Sequence, residues 1–273
     1  MNLDGALEAK LVELVRAAGQ AILEVYETDF DVENKADESP LTQADLASHK
    51  VIAAGLAQLT PDIPVVSEES APPDYSVRSQ WSEYWLVDPL DGTKEFVNRN
   101  GEFTANIALI RGNRAVAGFV GLPVQDKVYV GDVDRGIAYC LTGDQRAEIS
   151  GRAMHLENAE VVVVASRSHG GDRLESYLDE LSANFNAMSR KPVGSSLKLC
   201  ALAAGEADCY PRLGPTSEWD IAAAHAVLTA AGGEVYTFDG QVLAYNAKES
   251  FLNPEFVAVA DARFGWFDIL PQL

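Results

Sequence analysis

The stretch Trp85-Leu-Val-Asp-Pro-Leu-Asp-Gly-Thr-Lys-Glu-Phe96 decides how the rest of the chain is read. An apolar run ends in two aspartates, Asp88 and Asp91. Pro89 removes one backbone donor, and Gly92 lets the chain turn sharply. Thr93 then opens what reads as a short helix. Two carboxylates, a tight turn and a helix start so close together suit a site for cations and a phosphate. The same residues also suit a plain strand that ends in an Asp/Gly turn. The neighbouring chain has to choose.

Working outward, Tyr84–Asp88 reads as the strand that delivers this turn. Upstream, Val65-Val66 is a short buried strand leading to Ser67-Glu68-Glu69, with a Pro-rich loop over 71–75 in between. Residues 4–27 read as an amphipathic helix, because Leu11, Val15, Ala18, Ile22 and Val25 recur at helical spacing. A polar loop over 27–40 follows. A second helix starts near Thr42, carries Leu46, Val51, Leu56 and Leu59, and is ended by Pro61 and Pro64. Downstream, 103–110, 115–120, 127–130 and 136–140 alternate as an antiparallel meander. From Val161 onward strands and helices alternate, which predicts an α/β layer. The fold class is therefore α+β, with an N-terminal antiparallel-sheet lobe over 1–155 and a C-terminal α/β lobe over 156–273.

The chain has 273 residues, with 41 acidic against 21 basic side chains and a formal charge of -20. Such a balance disfavours general binding to nucleic acid or to anionic membranes. It also repels phosphates, so an anion site here needs metal ions or a few placed Lys and Arg. The three cysteines form no C-x-x-C pair, which fits a reducing, cytoplasmic compartment. No signal peptide and no membrane-spanning run are expected.

Hard divalent cations want oxygen ligands. Glu68, Asp88, Asp91 and Asp220 all fall at strand ends or helix starts. Read singly, each has a plain alternative: Glu68 as a solvated loop acid, Asp220 as a helix N-cap, Thr42-Gln-Ala-Asp45 as a capping box. Lys198 reads equally as an exposed helix lysine, Arg212 as a loop ion pair and His169 as a surface histidine.

In order, the motifs are Lys35-x-Asp37-x-Ser-Pro-x-Thr42-x-x-Asp45, Ser67-Glu68-Glu69, Asp88-Pro-x-Asp91-Gly-Thr93 and Trp219-Asp220. This series closely resembles the inositol monophosphatase superfamily of Mg2+-dependent, lithium-sensitive phosphatases. Its two signature blocks appear as WLVDPLDGTKEF (85–96) and SEWDIAAAHAVLTAAGGEV (217–235), and the likeness runs along essentially the whole chain. The bisphosphate nucleotidase branch fits best. It is marked by Thr93-Lys94-Glu95-Phe96, by Gly194-Ser195-Ser196-Leu197-Lys198, and by Arg212, where the inositol branch tends to place a carboxylate. An Arg fork suits a second phosphate.

The resemblance implies a layered αβαβα fold and hydrolysis of the 3'-phosphate of adenosine 3',5'-bisphosphate, with 3'-phosphoadenylyl sulfate as a further candidate substrate. It implies two or three Mg2+ ions on Glu68, Asp88, the Leu90 carbonyl, Asp91 and Asp220. Gly92 and Thr93 hold the scissile phosphate. Thr93 and Asp45 relay a proton from the attacking water. His169, Ser195, Lys198 and Arg212 contact the nucleotide, while Glu69 and Asp37 support the site. A homodimer and a peripheral place on the inner membrane remain open. The alternatives are an inositol or other sugar phosphatase of the same fold, and a non-catalytic metal-binding regulator.

Overall fold

Asp4 starts the first helix, α1 (Gly5–Tyr26), by accepting hydrogen bonds from the N–H groups of Ala6 and Leu7. Leu11, Val15, Ala18 and Ile22 form its buried stripe, as their spacing predicts. The computed structural model describes residues 3–28, 33–34, 40–41, 43–155, 160–165 and 171–272. Two short strands, β1 (Glu33–Asn34) and β2 (Pro40–Leu41), pair antiparallel before α2 (Gln43–Leu59).

The first large sheet follows. Its elements are β3 (Val65–Ser67), β4 (Glu83–Asp91), β5 (Thr104–Arg111), β6 (Arg114–Leu122), β7 (Lys127–Asp132), β8 (Ile137–Thr142) and β9 (Gln145–Glu148), in that spatial order. Only β3 and β4 run parallel; the others form the predicted antiparallel meander. Two one-turn helices interrupt it, α3 (Tyr75–Arg78) and α4 (Thr93–Val97). Sequence reading missed α3, which grows out of the Pro-rich loop. It also missed β9, whose residues are all exposed and so show no apolar alternation.

The second sheet is mixed. β10 (Glu160–Ala165), α5 (Asp172–Ser182), β11 (Ala187–Pro192), α6 (Leu197–Ala203), β12 (Cys209–Arg212), α7 (Glu218–Ala230), β13 (Glu234–Thr237) and β14 (Phe256–Val259) follow in sequence. The strand order is β11-β10-β12-β14-β13, with β10 parallel to β11 and β12 and the remaining pairs antiparallel.

Strand periodicity turns these elements into five layers. Trp85 and Val87 face α1 and α2, whereas Tyr84 and Leu86 face α6 and α7. The other side of α6 and α7 meets Val164, Tyr210, Phe256 and Ala258 of the second sheet. Val161, Val163 and Val257 on that sheet's far face pack against Leu174, Leu178 and Leu181 of α5. The result is the αβαβα stack, and the middle helices belong to both cores. One close approach makes this possible. Gly118 on β6 lies so near α7 that a Cβ there would sit 1.9 Å from the Ala223 carbonyl oxygen.

Candidate active site

Asp88 and Asp91 are three apart, so a regular strand would send them to opposite faces. A bulge prevents this. Asp88 pairs with Asn106 and Asp91 with Thr104, leaving Pro89 and Leu90 opposite Ala105 alone. Pro89 has no N–H to misplace, and the Leu90 N–H donates to Asp88 Oδ1 at 3.0 Å. Ser48 of α2 fastens the bulge by donating to the Pro89 carbonyl at 2.7 Å. Both aspartates therefore come close enough for the Asp91 charge to act on Asp88.

The partners arrive from three other elements. Glu68 follows β3, its N–H donating to the Val87 carbonyl at 3.1 Å, so it stands beside Asp88 across the parallel pair. Asp220 comes from α7. It is not the N-cap that the sequence suggested: Ser217 caps the helix, and Asp220 completes the capping box by accepting from the Ser217 N–H at 2.9 Å. Asp45 is buried in the first turn of α2, and its charge acts on both Glu68 and Asp88.

One carboxylate oxygen each from Glu68, Asp88 and Asp220 lie within 4.8 Å of one another. Asp91 stands next to this trio rather than inside it. Ser196 Oγ donates to Asp91 Oδ2 at 2.9 Å, and the Lys198 charge lies close enough to act on the same carboxylate.

Burial is the main force on these groups, and repulsion among them adds to it. Glu68 keeps exposed surface, yet desolvation of its carboxyl, followed by Asp220, Glu69, Asp45 and Asp91, pushes it up to about 8. Asp220 is pushed up to about 7 by burial and then by Asp91. Burial, with Glu68 and Asp91 behind it, drives Asp88 well above the carboxylate range. Asp91 is also raised by burial, and Lys198 and Ser196 temper the shift. An all-oxygen donor set whose members repel each other fits a hard divalent cation.

The turn at Gly92 adopts φ 88°, the left-handed conformation that glycine takes without strain, and Thr93 begins α4 directly after it. Beside it is a cleft of about 140 Å³, lined by Asp91, Gly92, Ser195, Lys198, Arg212 and Asp220 among others. Two of its cations are bonded to neutral groups. Lys198 Nζ donates to the Ser195 carbonyl at 3.0 Å, and Arg212 donates to the carbonyls of Gly214 and Pro215 at 3.2 and 2.8 Å. Burial lowers the Lys198 pKa, with Asp91 opposing. A roomier groove of about 470 Å³ lies between α1 and the β6–β7 turn, but no carboxylate cluster faces it among the described residues. Chemistry marks the smaller cleft, not volume.

Glu69 lies beside Glu68 and adds to its repulsion. Asp37, Thr42 and His169 lie outside the described residues. Sequence reasoning missed Asn106 and Ser196. Asn106 Nδ2 donates to Ser196 Oγ at 2.9 Å, linking β5 to the residue that grips Asp91. A polar Asn in the otherwise apolar Ala105–Ile110 run was the available signal.

Comparison with known proteins agrees with this geometry. The inositol monophosphatase family profile matches residues 6–263. The chain is 48% identical to the 3'(2'),5'-bisphosphate nucleotidase CysQ of Escherichia coli O6:H1 over 249 residues, 90% of this chain and 97% of the relative. It is 47% identical over 252 residues to CysQ of Salmonella typhimurium, again spanning 90% and 97%. The crystal structure of CysQ from Bacteroides thetaiotaomicron superposes with TM-score 0.82 at 37% identity, covering 94% of this chain and 98% of that one. Fold, carboxylate cluster and kinship coincide: this chain belongs to the inositol monophosphatase family.

Proposed function

We propose that the protein is a Mg2+-dependent 3'(2'),5'-bisphosphate nucleotidase that converts adenosine 3',5'-bisphosphate to AMP and phosphate, with 3'-phosphoadenylyl sulfate as a second substrate. Its setting would be nucleotide recycling during sulfur assimilation in the cytoplasm. Glu68, Asp88, the Leu90 carbonyl, Asp91 and Asp220 hold two or three Mg2+ ions. Bound there, Mg2+ supplies positive charge to the phosphate and acidifies water.

The chain's own residues do the rest. Gly92 and Thr93 offer main-chain N–H groups to the scissile phosphate. The Thr93 hydroxyl takes a hydrogen bond from the attacking water and passes its own to Asp45, the accepting base. Ser195, Lys198, Arg212 and His169 hold the nucleotide, and Glu69 and Asp37 support the cluster and its loop.

One observation carries the bisphosphate reading. Lys198 and Arg212 line the same cleft as Asp91 and Asp220, and both direct their hydrogen bonds to main-chain carbonyls. Their charges are thus available to a second phosphate, on a protein whose net charge of -20 otherwise repels it. The similarity to the CysQ nucleotidases supports the same substrate.

A phosphate-release panel tests the reading. With Mg2+, adenosine 3',5'-bisphosphate should be cleaved much faster than inositol 1-phosphate or fructose bisphosphate. Chelation should stop release, and lithium should inhibit it. Equal or faster release from inositol 1-phosphate would move the protein to the inositol branch. No release from any of them would favour a non-catalytic regulator.

A further inference from the structure

Three of the clustered carboxylates have one oxygen already committed to a protein donor. Asp88 Oδ1 accepts from the Leu90 N–H at 3.0 Å, and Asp220 Oδ2 accepts from the Ser217 N–H at 2.9 Å. Both follow from the local backbone, a bulge and a helix cap. Asp91 is different. Its Oδ2 accepts from Ser196 Oγ at 2.9 Å, a residue 105 positions away at the start of α6.

Ser196 is itself fixed. It is 2% exposed. Asn106 Nδ2 fills one of its lone pairs at 2.9 Å, and its single proton lies between Asp91 Oδ2 and the Asp220 carbonyl at 2.5 Å. One hydroxyl therefore ties together β4, β5 and α7. The turn presenting it is strained: Ser195 has φ 41°, in the left-handed region that side chains avoid. Such conformations persist where the surroundings impose them.

Mg2+ requires compact octahedral geometry and takes single carboxylate oxygens, whereas Ca2+ accepts two from one carboxylate and more ligands overall. We propose that Ser196, oriented by Asn106, is a positioning residue that withholds Asp91 Oδ2 from the cation and thereby makes the site discriminate against Ca2+. The inference rests on the metal reading of the cluster above. Ser196 touches neither substrate nor cation in this scheme; it acts through Asp91.

The test is calorimetric titration of metal-free protein with MgCl2 and, separately, CaCl2, with no substrate present. In Ser196→Ala, Mg2+ affinity should fall about tenfold, at the low end for loss of a partner behind a metal ligand. Ca2+ affinity should change by less than about threefold, since Asp91 gains a second ligating oxygen. Ser196→Thr, which keeps the hydroxyl, should restore the wild-type ratio. Asn106→Leu, which removes only the residue orienting Ser196, should lower the ratio by a smaller factor and carries the test if Ser196→Ala does not fold. An unchanged Mg2+ to Ca2+ ratio in both variants, with the wild type binding Mg2+, overturns this proposal alone. Failure of the wild type to bind either ion overturns the metal reading as well.

Discussion

Two places in this protein bury several acidic side chains close together, and they treat them in opposite ways. At the seam between α1 and β7–β8, Glu8 and Asp132 share Arg135, whose Nε donates to Asp132 Oδ2 at 2.6 Å and whose other arm reaches Glu8. Tyr139 OH donates to Glu8 Oε1 at 2.7 Å. Every charge there meets an opposite charge or a donor. In the cleft, Glu68, Asp88 and Asp220 repel one another and feel the charge of Asp91 beside them, and the nearby Lys198 and Arg212 bond to carbonyls. Buried charges are costly unless paired. The seam pairs them within the chain; the cleft leaves them for something that arrives from solution. That difference separates acids that assemble the fold from acids that do chemistry.

The comparison can be broken from the cleft side first. Asp91→Asn keeps the shape and deletes one charge. Phosphate release at saturating Mg2+ should drop about a thousandfold, the several kcal/mol that charge stabilisation by a bound cation supplies. The metal-free thermal midpoint should rise, because repulsion is relieved. Turnover close to wild type would sink the ligand assignment.

The seam should respond in the other currency. Arg135→Ala strands Glu8 and Asp132 and should cost about 3 kcal/mol of stability in denaturant titrations, with the rate per folded molecule unchanged. If activity fell while stability held, the seam would belong to the chemistry after all.

Arg212→Glu probes the cleft's cations. Loss of a charge-assisted contact should raise the KM for adenosine 3',5'-bisphosphate about tenfold or more, while inositol 1-phosphate turnover moves little. Equal losses on both substrates would argue against a second-phosphate role.

The smallest effect is on pH. In the metal-free protein Glu68 and Asp220 titrate at about 8 and about 7, above the ordinary carboxylate value near about 4. The folded state thus holds protons that the unfolded chain has released. Their contribution to stability is complete at acidic pH and is lost as pH rises through about 7 to 8. Melting curves of metal-free protein should therefore shift downward by a few degrees between mildly acidic and alkaline buffer, and excess Mg2+ should flatten the trend. A midpoint that rises with pH without metal would contradict the raised values.

Much of this was legible in the sequence because the signals are local. Apolar periodicity located α1, the meander and the alternating second half, and strand-end carboxylates announced Glu68, Asp88 and Asp91. The αβαβα layering came from the family resemblance rather than from periodicity. What escaped depends on distance or on the lack of a pattern. Strand β9 has no buried residue to give a period. Asp220 stood out as a ligand, but its local place was blurred, because a capping carboxylate at the third helical position resembles an N-cap when read alone. Ser196 stood inside a quoted motif, but its grip on Asp91 links positions 105 apart and leaves no mark in the local sequence. Asn106 likewise gains its meaning only when β5 is laid beside β4.

Gly118 faces Gly131 across β6 and β7, and the two leave a trough into which the backbone of α7 settles. Neither residue lines the cleft. Yet Asp220 rides on that helix, one turn from the Ala223 carbonyl that Gly118 nearly touches. A single added methyl at position 118 would lift the helix, and a shift of about 1 Å in a reacting group can cost about a hundredfold in rate. The depth of that trough thus sets the reach of a carboxylate one turn along the same helix. Any tally of functionally intolerant positions drawn only from the cleft walls would leave out the floor on which one of those walls stands.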